Sequence, residues 1–297
     1  MKLVRYRAGD EENYGLIDHD KVVSLPHLSK SMNEEFPKRI EDLIMKGTAE
    51  VGNAERVLEK ATEKEIRDAS FQTQNLTLLA PIVYPPKIIC LGLNYKDHIE
   101  EQRAETPDEP IIFMKPRTAI IGPKENIIKP SFVKQLDYEG ELAVVVGKKA
   151  KNVSTSDATD YIFGYTILND VSARDFQFKD KQWTRGKGFD TFAPTGPCIT
   201  TKNQLRDTTN LRIRTWVNDE LRQNSTTRNM IFDISEIVHQ ISRFMTLEPL
   251  DLIATGTPKG VGFAMKPSPK FLKNNDMVRI EIEGIGTLEN RVVEANF

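Results

Sequence analysis

The chain has 297 residues, 39% apolar and 28% charged, with 17 Gly, 16 Pro and 2 Cys, enough for one large domain or one large and one small. Its 41 basic and 43 acidic residues leave a net charge of −2 with no long same-sign block, which argues against a nucleic-acid-binding surface. The longest apolar runs, near 88–93 and 142–146, fall far short of the roughly 18–20 residues that span a bilayer.

The opening MKLVRYRAGDEENYG lacks the apolar stretch of a secretory signal. Cys90 and Cys198 are isolated, with no C-x-x-C pair and no disulfide framework. A reducing compartment, the cytoplasm, is therefore the expected setting.

Residues 3–6, 14–17 and 22–25 read as short strands separated by Gly- and Asp-bearing turns. Residues 31–68 are rich in Glu, Lys, Ala, Leu and Met, with Ile40, Leu43 and Ile44 at helical spacing. Two helices are expected, over 38–46 and 50–68, broken near Gly47. Residues 1–75 thus read as a small α+β unit. From residue 79 onward the pattern changes. Pro81, Pro85 and Pro86 punctuate the entry, and short β-like runs follow at 88–91, 111–114, 141–146, 165–168, 211–217, 252–254, 278–282 and 286–289. Only two helices are expected among them, around 155–160 and 234–243. Many strands with few crossover helices argue for a β-rich second domain over 80–297 and against a doubly wound parallel sheet.

The strongest local feature runs Leu136-Asp137-Tyr138-Glu139-Gly140-Glu141-Leu142 into an apolar run. In a strand, side chains at i and i+2 share a face, so Glu139 and Glu141 point the same way. Two like charges side by side repel unless a positive group sits between them. A hard divalent cation is one such group, because Mg²⁺ and Mn²⁺ prefer carboxylate oxygens. An exposed strand face carrying two Glu is the alternative. Asp170 ends the apolar run 164–169, where it is placed either to line a site or to cap a helix.

His98 and Glu101 are three apart and share a face if residues 94–101 are helical. A His held by a carboxylate is a workable general base; a surface helix with incidental charge pairing is the plain alternative. The polar stretch 100–109 reads as a mobile loop able to act as a lid. The loop Thr255-Gly256-Thr257-Pro258-Lys259-Gly260-Val261-Gly262 matches neither a P-loop nor G-x-G-x-x-G. It is either a tight turn or a backbone cradle for an anionic ligand. Lys187 stands between Gly186 and Gly188, either as a solvated turn residue or as a lysine that a ligand can approach closely.

In chain order, these pieces resemble the fumarylacetoacetate hydrolase family: Gly92-Leu93-Asn94-Tyr95-x-x-His98-x-x-Glu101, Phe113-Met114-Lys115-Pro116, Asp137-Tyr138-Glu139-Gly140-Glu141, Gly164-Tyr165 through Asp170-Val171-Ser172-Ala173-Arg174-Asp175, Lys187, and the loop 255–262. The resemblance covers about residues 80–297. It implies a mixed β-sandwich roll with a small N-terminal α+β domain, a homodimer, and one Mg²⁺ or Mn²⁺ per subunit. On this match Glu139, Glu141 and Asp170 are the metal ligands. His98 and Glu101 are a water-activating or proton-shuttling pair on a lid segment. Arg174, Gln177 and Lys187 contact substrate oxygens, and Thr257 lies near the substrate carboxylate.

A metal with three protein ligands keeps open positions that a 2-oxo acid can chelate, and Lys187 and Arg174 add to charge stabilisation. The expected activity is C–C cleavage of small 2-oxo acids, by oxaloacetate decarboxylation or acylpyruvate hydrolysis. If only a proton moves, the enzyme is an isomerase or tautomerase, including the 2-hydroxyhepta-2,4-diene-1,7-dioate isomerases. A non-catalytic binding or scaffold module is the reading outside enzymology. Between Asp170 and Lys187, Phe176, Phe178 and Trp183 offer an apolar wall, which favours a substrate bulkier than oxaloacetate. The expected partner is a small 2-oxo acid, with no nucleic acid and no membrane.

Overall fold

A computed structural model describes residues 1–179 and 182–295. Its largest sheet contains ten strands in one path. From one edge these are Ser70–Gln72, Lys21–Ser24, Glu11–Asp18, Lys2–Ala8, Ala193–Thr201, Ile162–Asn169, Gly140–Val146, Leu252–Ala254, Ile88–Gly92 and Ile111–Lys115. Most neighbours are antiparallel, but Leu252–Ala254 runs parallel to Ile88–Gly92. A second sheet orders Glu220–Thr226, Arg212–Val217, Met277–Ile282, Gly286–Ala295 and Ile127–Pro130. Apolar side chains of both sheets, such as Leu142 and Val144 from the first and Ile213 and Ile280 from the second, share one buried core. The fold is the β-rich mixed architecture expected.

The N-terminal strands belong to the large sheet. Lys2 pairs with Thr200 and Leu3 with Ile199. The helices around them differ from the sequence reading. Ser24 caps a helix over Leu25–Met32 by accepting a hydrogen bond from the His27 N–H, with proline in its first turn. The expected helix at 38–46 is Ile40–Lys46. The one expected at 50–68 is two helices, Thr48–Lys60 and Glu63–Asp68. They part because Thr62 and Glu65 form a reciprocal capping box that starts the second helix. Around 155–160 there is only a 3₁₀ turn, Ala158–Tyr161. The helix at 234–243 is present as Ile234–Phe244, capped by Asp233.

Two strands place the site. Every residue of Gly140–Val146 and of Ile162–Asn169 is buried. They pair antiparallel, with Gly140 opposite Asn169 and Glu141 opposite Leu168. That register sets Glu139, just before one strand, against Asp170, just after the other. The Asp170 N–H donates to the Glu139 carbonyl at 2.9 Å. Beyond them a short ribbon continues the pairing, Asp137 to Ser172 and Leu136 to Ala173. Glu139 is therefore not a strand residue, as the i and i+2 argument assumed. Register, not the pleat of one strand, brings the acids together.

Candidate active site

Glu139, Glu141 and Asp170 are all buried and each offers a carboxylate oxygen, with those oxygens within 4.8 Å of one another. Three buried like charges this close need positive charge among them. Lys187, on the short helix Trp183–Lys187, supplies part of it. Its Nζ donates to Glu139 Oε2 and to Asp170 Oδ2, each at 2.7 Å. Arg174 donates from Nη2 to Glu139 Oε1 at 2.7 Å, and from Nη1 to Gln177 Oε1 at 2.8 Å.

Glu141 stands apart. Its Oε2 accepts from the Gly256 N–H at 2.9 Å, while its Oε1 is buried with no hydrogen-bond partner among the described residues. Burial pushes the Glu141 carboxyl well above the usual range, and the Asp170 and Glu139 charges push it further. Glu139 goes the other way. Burial opposes its charge, but the Lys187 and Arg174 cations outweigh burial and hold it below the usual range. The same carboxylates raise Lys187 against the effect of its own burial. An acid with an orphaned oxygen facing two other carboxylates is what a hard cation requires, so the residues fit Mg²⁺ or Mn²⁺.

The remaining expected residues converge on the same place. His98, Glu139, Arg174, Gln177, Lys187 and Thr257 line one cavity of about 80 Å³. His98 sits on the helix Lys96–Gln102 and is buried. Its Nδ1 lies 3.5 Å from Glu101 Oε2 and has no hydrogen-bond partner among the described residues. Glu101 in turn accepts from the Gly260 N–H at 3.1 Å on both oxygens. Gly260 has a φ of +101°, and a Cβ there would lie 2.0 Å from the Arg222 carbonyl oxygen, so only glycine brings that N–H to Glu101. Thr257 Oγ1 donates to the Gly140 carbonyl at 3.0 Å and accepts from Gln223 Nε2 at 2.8 Å. Its hydroxyl proton is thus already committed within the protein.

The chain just ahead of the stretch 100–109, which was expected to act as a lid, is anchored. Asn94 donates to the carbonyls of Phe232 and Thr255 and accepts from the Phe232 N–H. Asp97 accepts from Ser225 Oγ at 2.7 Å. Of the three expected aromatic wall residues, Phe178 and Trp183 line the cavity. Phe176 instead packs edge-on against Phe132 and Phe189.

Two site residues had no role in the sequence reading. Lys115 closes the strand Ile111–Lys115, and its Nζ donates to Asp170 Oδ1 at 2.5 Å and to the Val171 carbonyl at 3.1 Å. Its sequence signals were a lysine ending an apolar run and its place in Phe113-Met114-Lys115-Pro116, neither of which gave it a role. Asp137 is fully buried and accepts four hydrogen bonds, from the N–H groups of Tyr138, Gly262 and Phe263 and from Arg174 Nε. It ties the glycine-rich loop to the arginine that holds Glu139. Asp137→Asn keeps the shape but removes the charge and turns an acceptor into a donor. It should cost about 2–3 kcal/mol, the scale of a charge-assisted hydrogen bond lost in the interior. Chemical denaturation checks this, and an unchanged midpoint would show that the clasp does not support the fold.

The β-rich fold and the buried triad together define a protein with a candidate hard-cation site at adjoining strand ends. The family model for the fumarylacetoacetate (FAA) hydrolase C-terminal region matches residues 87–293, and the chain belongs to the fumarylacetoacetate hydrolase family. It is similar along its length to a mitochondrial oxaloacetate tautomerase, fahd2, of Xenopus laevis. Identity there is 42% over 299 residues, covering 99% of this chain and 90% of that one. Among solved structures it resembles a 2-hydroxyhepta-2,4-diene-1,7-dioate isomerase from Mycobacterium marinum, with TM-score 0.76, 37% identity, and 99% and 98% of the two chains covered. It also resembles a maleylpyruvate hydrolase from Sphingobium sp. SYK-6, solved with manganese(II) and pyruvate. There the TM-score is 0.79 and identity 30%, over 99% and 100% of the chains. No helix among the described residues is long and apolar enough to cross a membrane.

Proposed function

We propose that this protein is a divalent-metal-dependent enzyme of short 2-oxo acids, and that its main reaction interconverts the enol and keto forms of oxaloacetate. The observation that carries the reading is His98. It is buried, its Nδ1 is unpartnered among the described residues and lies beside Glu101, and it opens on the same small cavity as Lys187, Arg174 and Glu139 of the triad. That is a proton-transfer group facing a cationic, carboxylate-lined pocket. The similarity to an oxaloacetate tautomerase along nearly the whole chain supports the choice of substrate.

Glu139, Glu141 and Asp170 would hold Mg²⁺ or Mn²⁺. When bound, that ion supplies a Lewis acid for the substrate's keto oxygen. Arg174 and Gln177 orient the substrate's oxygens, with Thr257 beside them on the cavity wall. Lys187 adds a fixed positive charge where negative charge develops. His98 takes the proton, and Glu101, 3.5 Å from its Nδ1, stabilises the imidazolium that results. One proton leaves C3 and one is delivered to oxygen, or the reverse. No C–C bond breaks and no water is consumed. The enzyme acts as a homodimer in a reducing compartment, which suits the two buried free thiols Cys90 and Cys198.

Hydrolytic C–C cleavage of an acylpyruvate is the second reading. The same His98–Glu101 pair favours it, because a His held by a carboxylate also activates water. The two part in one experiment. The decay of enol absorbance of oxaloacetate and the release of pyruvate are followed together, with acetylpyruvate alongside, under Mg²⁺, Mn²⁺ or EDTA. The expected result is metal-dependent acceleration of enol decay with pyruvate at the metal-only rate. His98→Ala should then slow it by about 10²–10⁴-fold. Pyruvate from acetylpyruvate without faster enol decay would make the protein a hydrolase, and excess pyruvate from oxaloacetate a decarboxylase. Silence on both substrates with metal bound would make it a binding module.

A further inference from the structure

The cavity has a charged end and an aromatic end. At about 80 Å³ it lies far below the roughly 300–1,000 Å³ of common ligand pockets. Two contacts set the aromatic end. Trp183 passes through the space a side chain at Gly92 would fill, since a Cβ there would lie 2.0 Å from Trp183 Cζ3 and 2.5 Å from Cη2. The indole is held edge-on by Phe113, with ring centres 5.4 Å apart. Beside it, Phe178 and Phe263 meet edge to face at 5.5 Å. Phe263 cannot recede freely, because the Arg174 guanidinium lies 4.4 Å over its ring, and Asp137 holds both the Phe263 N–H and Arg174 Nε. The aromatic part of the wall is thus fixed to the residues that carry the charge.

We propose that Trp183 seated on Gly92, together with the Phe178–Phe263 pair, sets an upper limit on substrate length: four-carbon 2-oxo diacids enter and six-carbon or longer ones do not. This inference rests on the 2-oxo acid reading of the charged end. It runs against the sequence expectation that the aromatic residues admit a substrate bulkier than oxaloacetate. The rings do line the cavity, but they fill it rather than widen it. A seven-carbon dienedioate is excluded on the same ground, which separates this chain from its isomerase neighbour despite the shared fold.

The test is calorimetric titration of Mn²⁺-loaded protein with oxalate, oxaloacetate and 2-oxoadipate. Oxalate probes the charged end alone. The expected result is that wild type binds oxalate, and binds oxaloacetate at least about tenfold more tightly than 2-oxoadipate. That ratio should fall to about threefold or less in Trp183→Ala and in Phe178→Ala. Phe178 is half exposed at the mouth, so its variant tests the wall even where loss of the indole disturbs folding. Binding of oxalate with equal affinity for the four- and six-carbon acids overturns the length limit alone. A ratio unchanged in the folded variants overturns the assignment to these rings. Failure of Mn²⁺-loaded wild type to bind oxalate overturns the 2-oxo acid reading, and the length limit falls with it.

Discussion

Glu141→Gln should leave the metal-free protein at least as stable as wild type while lowering metal-dependent activity by about a thousandfold. The two effects have one cause. Glu141 is buried beside Asp170 and Glu139 and has no ion pair among the described residues, whereas Glu139 and Asp170 both have lysine or arginine partners. Without metal its charge is a burden on the fold. Glutamine keeps an acceptor for the Gly256 N–H and removes that charge. With metal the unpartnered Oε1 would be a ligand, and losing the carboxylate would withdraw several kcal/mol of stabilisation from the charge-developing step, at about 1.4 kcal/mol per tenfold. Thermal unfolding separates the two states. Saturating Mn²⁺ should raise the melting temperature of wild type, as binding at a hundred times the dissociation constant adds about 2.7 kcal/mol. It should leave Glu141→Gln unmoved. A variant that still gains stability from Mn²⁺ would place the metal elsewhere.

The local pattern of the sequence offered two Glu at i and i+2 before an apolar run and an Asp at the end of another, and only the family resemblance joined the three as a ligand set. The reason they meet was not local. Glu139 lies outside the strand, and only the register that sets Gly140 opposite Asn169 turns it toward Asp170. Register is a property of a strand pair, and no stretch of a single strand states it. Lys115 and Asp137 are hidden for the same cause. Lys115 meets Asp170 across 55 residues, and Asp137 meets Phe263 across 126. The strand Ala193–Thr201 is missing from the strands expected, and it carries Pro194, Gly196 and Pro197, residues unfavourable in a central strand. Pro197 falls where the register shifts between Tyr165 and Ile167, and Pro194 sits near the start of the strand. The break within 50–68, by contrast, was written plainly. Thr62-x-x-Glu65 is a capping box, and a search for that spacing finds the start of the second helix.

Lys187→Met should separate metal binding from catalysis in the opposite sense to the glutamate variant. The Lys187 ammonium is 2% exposed and donates to one oxygen each of Glu139 and Asp170. Removing it leaves two buried carboxylates short of positive charge, and breaking a buried pair in this way costs about 3–5 kcal/mol. Without metal the variant should therefore melt well below wild type. The ammonium also competes with a divalent cation for the same oxygens, so its loss makes the triad a stronger cation site. Mn²⁺ should bind Lys187→Met at least as tightly as wild type and recover most of the lost stability. Activity should not recover with it. Lys187 lines the substrate cavity, and the loss of one fixed donor at a developing oxyanion costs about 10²–10³-fold in turnover. Mn²⁺ titration, melting curves with and without metal, and the enol-decay assay on one preparation give all three readings. Full activity in the variant would remove Lys187 from the reaction. Loss of Mn²⁺ binding would mean that the lysine organises the carboxylates rather than competing for them. A destabilised apo protein that metal rescues in stability but not in rate is the expected outcome, and it would make Lys187 a stand-in for part of the cation's charge in the resting fold and a separate source of positive charge during reaction.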